Sequence, residues 1–249
     1  MSISMPPEAP RQKLDAFRHT QALSRVGHYD GQLREDSMPK DAINRGGFRS
    51  SMILKGVNSR QGPSFSLSNR FLRVLWGVTY IVFFVPTPRV FHAWRRWILQ
   101  LFGATIGAGV HVYPRVRIWA PWNLSIGDFT GVANGVNLYS IERITLGERC
   151  TVSQGAQLCT GSHDYNDPTF QLTAKPIIVG SDAWVCSEVF VCPGIQIAPG
   201  AVIGARSVVT RSLLDEWTVY AGMPARKISI RVKHGETNEQ SVCTGVDEK

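Results

Sequence analysis

Residues Pro176 to Ser212 read "PIIVGSDAWVCSEVFVCPGIQIAPGAVIGARSVVTRS". An aliphatic residue returns at every sixth position, at Val179, Val185, Val191, Ile197, Ile203 and Val209. The same rhythm occupies the preceding region as Ile106, Val112, Ile118, then Ile126, Val132, Leu138, then Leu146, Val152, Leu158. Glycine follows at 107, 127, 147, 180 and 204. The residue four places on is small or β-branched, as at Val110, Thr130, Cys150, Ala156, Ala183, Ala201 and Ser207. A period of six fits neither a helix nor a plain strand. It fits a short strand plus a turn, three of which close a triangular coil. Stacked coils rise by about 4.8 Å, the spacing of hydrogen-bonded strands, and their aliphatic positions point inward and stack. The spacing therefore predicts an all-β fold, a parallel β-helix of about five coils spanning residues 106–214.

Coil starts at 106, 126, 146, 179 and 197 lie 20, 20, 33 and 18 residues apart. The long interval contains "LCTGSHDYNDPTF", Leu158 to Phe170. Leu158 and Ser162 keep the register, and the break begins just past His163, so a loop is expected over 164–176.

Charge is unevenly spread along the 249 residues, which carry a net +8. The repeat region is balanced, with seven basic and seven acidic groups between 106 and 214. A nucleic-acid groove along it is therefore not expected. Residues 70–105 hold five arginines and no acidic group, a balance suited to a membrane surface. The five cysteines form no CxxC pair, and the first 18 residues are Pro-rich and charged, without an apolar stretch. Both features fit reduced thiols and a cytoplasmic protein, one that meets the inner face of the membrane if 70–105 contacts it.

Residues 1–69 lack sustained periodicity and are expected to be weakly ordered. The next stretch, "NRFLRVLWGVTYIVFFVPTPRVFHAWRRWILQLFGA" (69–104), carries nine aromatic residues. Its uncharged run, Val74 to Pro88, is 15 residues long, short of the roughly 20 a spanning helix needs. After Pro88, Val90, Trp94, Trp97 and Leu101 mark an amphipathic helix. Arg89, Arg95 and Arg96 lie off that stripe. The segment either packs on the domain or lies in a membrane interface, aromatics at acyl-chain depth and arginines on phosphates. Residues 215–249 are expected to be a C-terminal tail that ends disordered.

The Pro176–Ser212 stretch and the closing "VYAGMPARKI" (219–228) resemble the hexapeptide-repeat acyltransferases. The likeness covers roughly 70–231. The front "PTPRVFHAWRRWILQLFGATIGAGVHVYPRVRIWAPWNLSIGD" (86–128) is similar to the colanic acid and exopolysaccharide biosynthesis branch. The resemblance implies a left-handed β-helix, a homotrimer, and acetyl-CoA held between neighbouring β-helices. It implies O-acetylation of a sugar hydroxyl, the acceptor being a sugar or a lipid-linked glycan, with no metal.

Such a transfer needs a base, because an alkyl hydroxyl hardly ionises at neutral pH. Histidine is suited to it, and His163 falls where the family has its catalytic histidine. Asp164 either orients that ring or begins the loop turn. Tyr165 either faces the sugar or shapes the turn. Carry-over from the family sets Ser187 and Ala205 along the pantetheine arm and Trp184 near the thioester. Arg226, with Lys227 beside it, falls near the nucleotide phosphates. Arg206 stands where relatives usually have glycine and faces either a CoA phosphate or a neighbouring chain. The family's active-site asparagine has no exact counterpart: Ala133 and Gly135 occupy its expected positions, and Asn134 substitutes only if the turn shifts.

Two rivals remain at this point. A γ-carbonic-anhydrase-like metal site needs three converging histidines, and the repeat holds only His111 and His163. A membrane-associated scaffold without activity would not need His163 or the cofactor-side motif.

Overall fold

The computed structural model describes residues 53–233. The fifteen positions picked out by the six-residue rhythm form three inward columns. One face of the prism stacks Thr105–Ile106, Leu124–Ile126, Ile144–Leu146, Ile177–Val179 and Gln196–Ile197 in parallel. Its register sets Ile106 against Ile126, Ile126 against Leu146, Leu146 against Val179 and Val179 against Ile197. The second face stacks His111–Val112, Gly131–Val132, Thr151–Val152, Trp184–Val185, Val202–Ile203 and Thr218–Gly222. The third stacks Arg117–Ile118, Asn137–Tyr139, Gln157–Cys159, Phe190–Val191 and Val208–Val209. All fifteen inward residues are buried.

Five coils are complete. A sixth starts where Leu213 bridges to Ile197, and Thr218–Gly222 pairs antiparallel with Ala225–Ile230 to finish the second face. The region after 214 is thus structured as far as this hairpin, and Arg231 donates from Nη1 to the carbonyls of Asp182 and Gly200. The disorder expected at the chain's end falls outside the described residues. Glycine after the inward residue has a steric cause: a Cβ at Gly147 or Gly180 would come within 2.5 Å of a backbone nitrogen in the next coil.

The first coil is capped by two helices, α1 (Leu67–Thr79) and α2 (His92–Leu101). Ser66 caps α1 by accepting from the Asn69 N–H. A π-helical turn, Tyr80–Phe84, extends α1 towards the two prolines. No helix among the described residues is long and apolar enough to cross a membrane. Residues 53–66, which the sequence grouped with a weakly ordered extension, pair Ile53 with Phe65. The expected disorder of residues 1–52 lies outside the described residues.

The amphipathic stripe Val90, Trp94, Trp97 and Leu101 is exposed. Arg95, Ile98 and Leu99 are buried instead. The reason is hydrogen-bond demand. The turn before α2 and the Val112 strand end present several carbonyl and hydroxyl acceptors, of which Pro88 O also accepts from the Phe91 N–H at 3.0 Å. Arg95 Nε donates to Val112 O at 2.7 Å, and Nη1 donates to Thr87 Oγ1 at 2.7 Å and to Pro88 O at 2.9 Å. Nη2 donates to Arg89 O at 2.6 Å. A guanidinium supplies five donors and so fills this slot. Arg95 is therefore unavailable to lipid phosphates.

Replacing Arg95 with leucine should strip donors from several buried acceptors and cost about 2–4 kcal/mol. Arg96→Leu, one residue on and partly exposed, should cost under about 0.5 kcal/mol. Denaturant unfolding of the two variants checks the difference.

Candidate active site

The coils meet at three corners, and chemistry-bearing side chains gather at two. At the corner joining the third face to the first, the third coil leaves the prism as an antiparallel hairpin, Gly161–His163 against Leu172–Ala174. This is the predicted interruption. His163 Nδ1 lies 3.0 Å from the Phe170 carbonyl oxygen. A carbonyl can only accept, so this contact is a hydrogen bond when Nδ1 carries the proton. Nε2 then holds the lone pair. The imidazole also stacks on the Phe170 ring, centroids 4.3 Å apart and planes 10° from parallel.

Asp164 does not hold the imidazole. Its Oδ1 accepts the Asn166 backbone N–H at 3.0 Å, and its own N–H donates to Gln171 O. That is an Asx turn. Asp167 likewise accepts from the Thr169 N–H and hydroxyl, each at 2.7 Å, and these bonds hold its carboxyl below the usual range. Tyr165 is exposed at the hairpin tip.

A second layer, which the sequence did not disclose, fixes the hairpin from outside. Ser59 donates its N–H to Thr169 O at 3.0 Å, and its Oγ accepts from the Leu172 N–H at 3.1 Å. Gly56 N–H donates to Gln171 Oε1, and Gln171 Nε2 donates to Leu54 O. The Arg60 guanidinium lies 5.1 Å from the Phe170 ring centroid, completing a stack of arginine, phenylalanine and histidine. These pairs span more than a hundred residues of sequence, so no local pattern announces them.

The corner joining the second face to the third collects the other candidates. Its turns stack coil on coil, with Gly135 N–H donating to Arg115 O, Glu188 N–H to Gln154 O and Arg206 N–H to Ser187 O. Asn134, Ser187, Ala205 and Arg206 therefore share one edge of the prism. Asn134 Oδ1 accepts from the Arg115 N–H at 3.1 Å, so it ties two turns together. Trp184 lies on the adjoining face, half exposed, its Nε1 donating to Ser153 Oγ at 2.9 Å. Arg206 has φ +59°, the left-handed conformation glycine favours, and pairs with Glu188 at 2.6 Å. Arg226 is exposed on the closing hairpin without a carboxylate partner among the described residues. Its neighbour Lys227 reaches Asp215 at 3.4 Å.

His163 and this edge thus occupy different corners of one chain. No cysteine is primed as a nucleophile among the described residues. Burial raises the thiols of Cys159, Cys186 and Cys192 and pushes Cys150 up to about 11. His111 stacks on His92, centroids 4.5 Å apart. Among the described residues no three His, Cys, Asp or Glu side chains are grouped to hold a metal ion.

A six-residue repeat wound into a β-helix is the fold of the hexapeptide-repeat acyltransferases. The chain belongs to that family. It is 43% identical over 159 residues to the proposed colanic acid biosynthesis acetyltransferase WcaF of Escherichia coli (strain K12), covering 64% of this chain and 87% of that protein. The WcaF protein of Shigella flexneri matches to the same extent. No family model matches the chain. Among solved structures, a hexapeptide-repeat acetyltransferase from Vibrio cholerae, complexed with acetyl coenzyme A, superposes with TM-score 0.62 at 23% identity, covering 68% of this chain and 91% of that one. A galactoside acetyltransferase in complex with coenzyme A gives TM-score 0.61 at 24% identity, over 68% and 84% of the two chains. The β-helix is left-handed, as in these neighbours.

The hairpin geometry makes two expectations measurable. Nitrogen-15 NMR should find neutral His163 as the Nδ1–H tautomer. Ser59→Ala should speed amide hydrogen exchange across residues 164–172 by about fivefold, the loss of roughly 1 kcal/mol of local hydrogen bonding.

Proposed function

We propose that this protein transfers an acetyl group from acetyl-CoA to a sugar hydroxyl of an exopolysaccharide or related glycan, with His163 as general base. The observation that carries the reading is the His163 Nδ1 contact to Phe170 O. With Nδ1–H committed there, Nε2 is left to accept a proton. The acceptor oxygen attacks the thioester carbonyl carbon as its proton passes to Nε2. The tetrahedral intermediate then collapses, the carbon–sulfur bond breaks, and the departing thiolate takes the proton from the imidazolium.

The donor side rests on chemistry the second edge can supply. The exposed indole of Trp184 offers an apolar wall, and Ser187 and Ala205 form a low-relief edge for a narrow pantetheine chain. Arg226, without a carboxylate partner among the described residues, suits a phosphate better than Arg206, whose charge Glu188 already meets. Lys227 is the second cation of that hairpin. Because His163 lies at another corner, a complete site requires the donor edge of one copy to face the hairpin of the next. That requirement supports a homotrimer, the symmetric arrangement in which every copy offers both parts. Tyr165, exposed at the hairpin tip, would then face the acceptor. The colanic acid role of the relatives named above supports a glycan acceptor.

The exposed apolar residues of α1 and α2, with Arg70 and Arg89 exposed beside them, support a peripheral contact with a membrane's inner face. Arg95 takes no part in it.

His163→Ala should retain the fold and lower acetyl transfer about 10²–10⁴-fold, read as free CoA thiol release with acceptor present and as acetyl esters on glycan by mass spectrometry. Acetylation at the wild-type rate in this variant would overturn the base assignment.

A further inference from the structure

Between α1 and α2 runs an apolar groove of about 760 Å³, a size that takes one extended small molecule or lipid chain. Leu72 and Leu75 of α1 line one wall, Trp94, Trp97 and Leu101 of α2 the other, and Trp122 of the β-helix lines it as well. The exposed stripe of α2 is therefore one wall of a channel. No charged residue lines it.

Its position relates it to His163. Trp122 belongs to the turn that joins the third face to the first on the first coil, the corner from which the histidine hairpin departs two coils later. The turns stack directly. Ala120 N–H donates to Ser140 Oγ, Asn123 Nδ2 donates to Ser140 O and Ile141 O, and Thr160 N–H donates to Tyr139 O. Two coil rises amount to roughly 10 Å along the axis, about the length of a short saccharide.

The same corner carries a cation. Arg73 of α1 lies over the Trp119 ring, 4.2 Å from its centroid. It has no carboxylate partner among the described residues. Residues 70–105 contain no acidic side chain at all. Apolar groove, a cation without a carboxylate partner among the described residues, and base thus share one corner, a set complementary to hydrocarbon, anionic link and hydroxyl.

We propose that the groove binds the hydrocarbon tail of the acceptor, which is an anionic lipid-linked saccharide, and that the tail anchors the sugar for reaction at His163. This rests on the acetyl-transfer reading above and on the lipid-linked acceptor that the resemblance implies, and adds the place where its tail binds. A neighbouring copy or a bare bilayer are the other ways to cover such a groove, and the test separates them.

The full-length protein is given labelled acetyl-CoA and the lipid-linked saccharide fraction of its source cells, dispersed in detergent. A parallel reaction uses the same saccharides freed from their lipid by mild acid. Transfer to the lipid-linked fraction should be at least about tenfold faster at limiting acceptor. Geranylgeraniol, a tail without a head group, should compete in the first reaction. Leu101→Glu and Trp97→Ala should each collapse the rate ratio towards one. Leu214→Glu, an exposed change at the opposite end of the β-helix, should preserve it.

Equal rates on the two fractions overturn the proposal. Failure of geranylgeraniol to compete assigns the helices to bilayer docking and overturns it as well. A fall in solution mass with Leu101→Glu makes the groove an interface between copies, with the same consequence. No label in either fraction overturns the acetyl-transfer reading itself, and the tail proposal with it.

Discussion

The in-register stacking of inward aliphatic residues constrains everything else in the molecule. Each coil must deliver one such residue to each of three columns, at a fixed rise of about 4.8 Å. A residue inserted within a strand would turn an aliphatic side chain outwards and break a column. Insertions are tolerated only at corners, where the chain already faces solvent. The one long insertion obeys this rule. It leaves after Thr160 and returns before Ile177, so Leu158 and Val191 still pair across it. The rigid coil is why a histidine at the base of a loop can be held in a defined place.

The hairpin then needs a lock, because its own turn bonds fix shape and not direction. Phe170 supplies both a carbonyl for Nδ1 and a ring for the imidazole face. Ser59 and Gln171 pin the outer strand to residues 54–59. The segment before α1 is thus part of the histidine's support, although it belongs to no coil. The loop carboxylates are occupied with backbone and hydroxyl donors and leave the imidazole to a neutral carbonyl. A carbonyl fixes the tautomer without adding a negative charge beside the ring.

The β-helix was legible in the sequence because its determinant is local and periodic. One aliphatic in six and a glycine after it are visible without any long-range information. The coil count, the three columns and the place of the interruption follow from that alone. Which way the second helix faces was left open for an equally physical reason. Hydrophobic periodicity locates a stripe but does not say what lies opposite it, and at the mouth of a solenoid the cap must also satisfy strand-end and turn carbonyls. Arg95 meets that need, so the arginine goes in and Trp97 stays out. Asp164 was ambiguous because its neighbour's ring and a turn N–H two residues on are both within reach of a short carboxylate. Ser59 was invisible, its partners lying over a hundred positions away.

Within one chain the repeat also separates two kinds of surface. The edge bearing Ser187, Ala205 and Arg206 is built from short turns of similar length, so it is narrow and continuous over several coils. The corner bearing His163 is irregular, carrying a short helical turn at Pro121–Asn123 on its first coil and the hairpin on its third. A continuous edge suits a long ligand of constant cross-section; an irregular corner suits a branched one. The groove between the two helices lies at the foot of the irregular corner, since Trp122 of its first turn lines it. Two ligands approaching such a molecule would meet surfaces of different character from different directions.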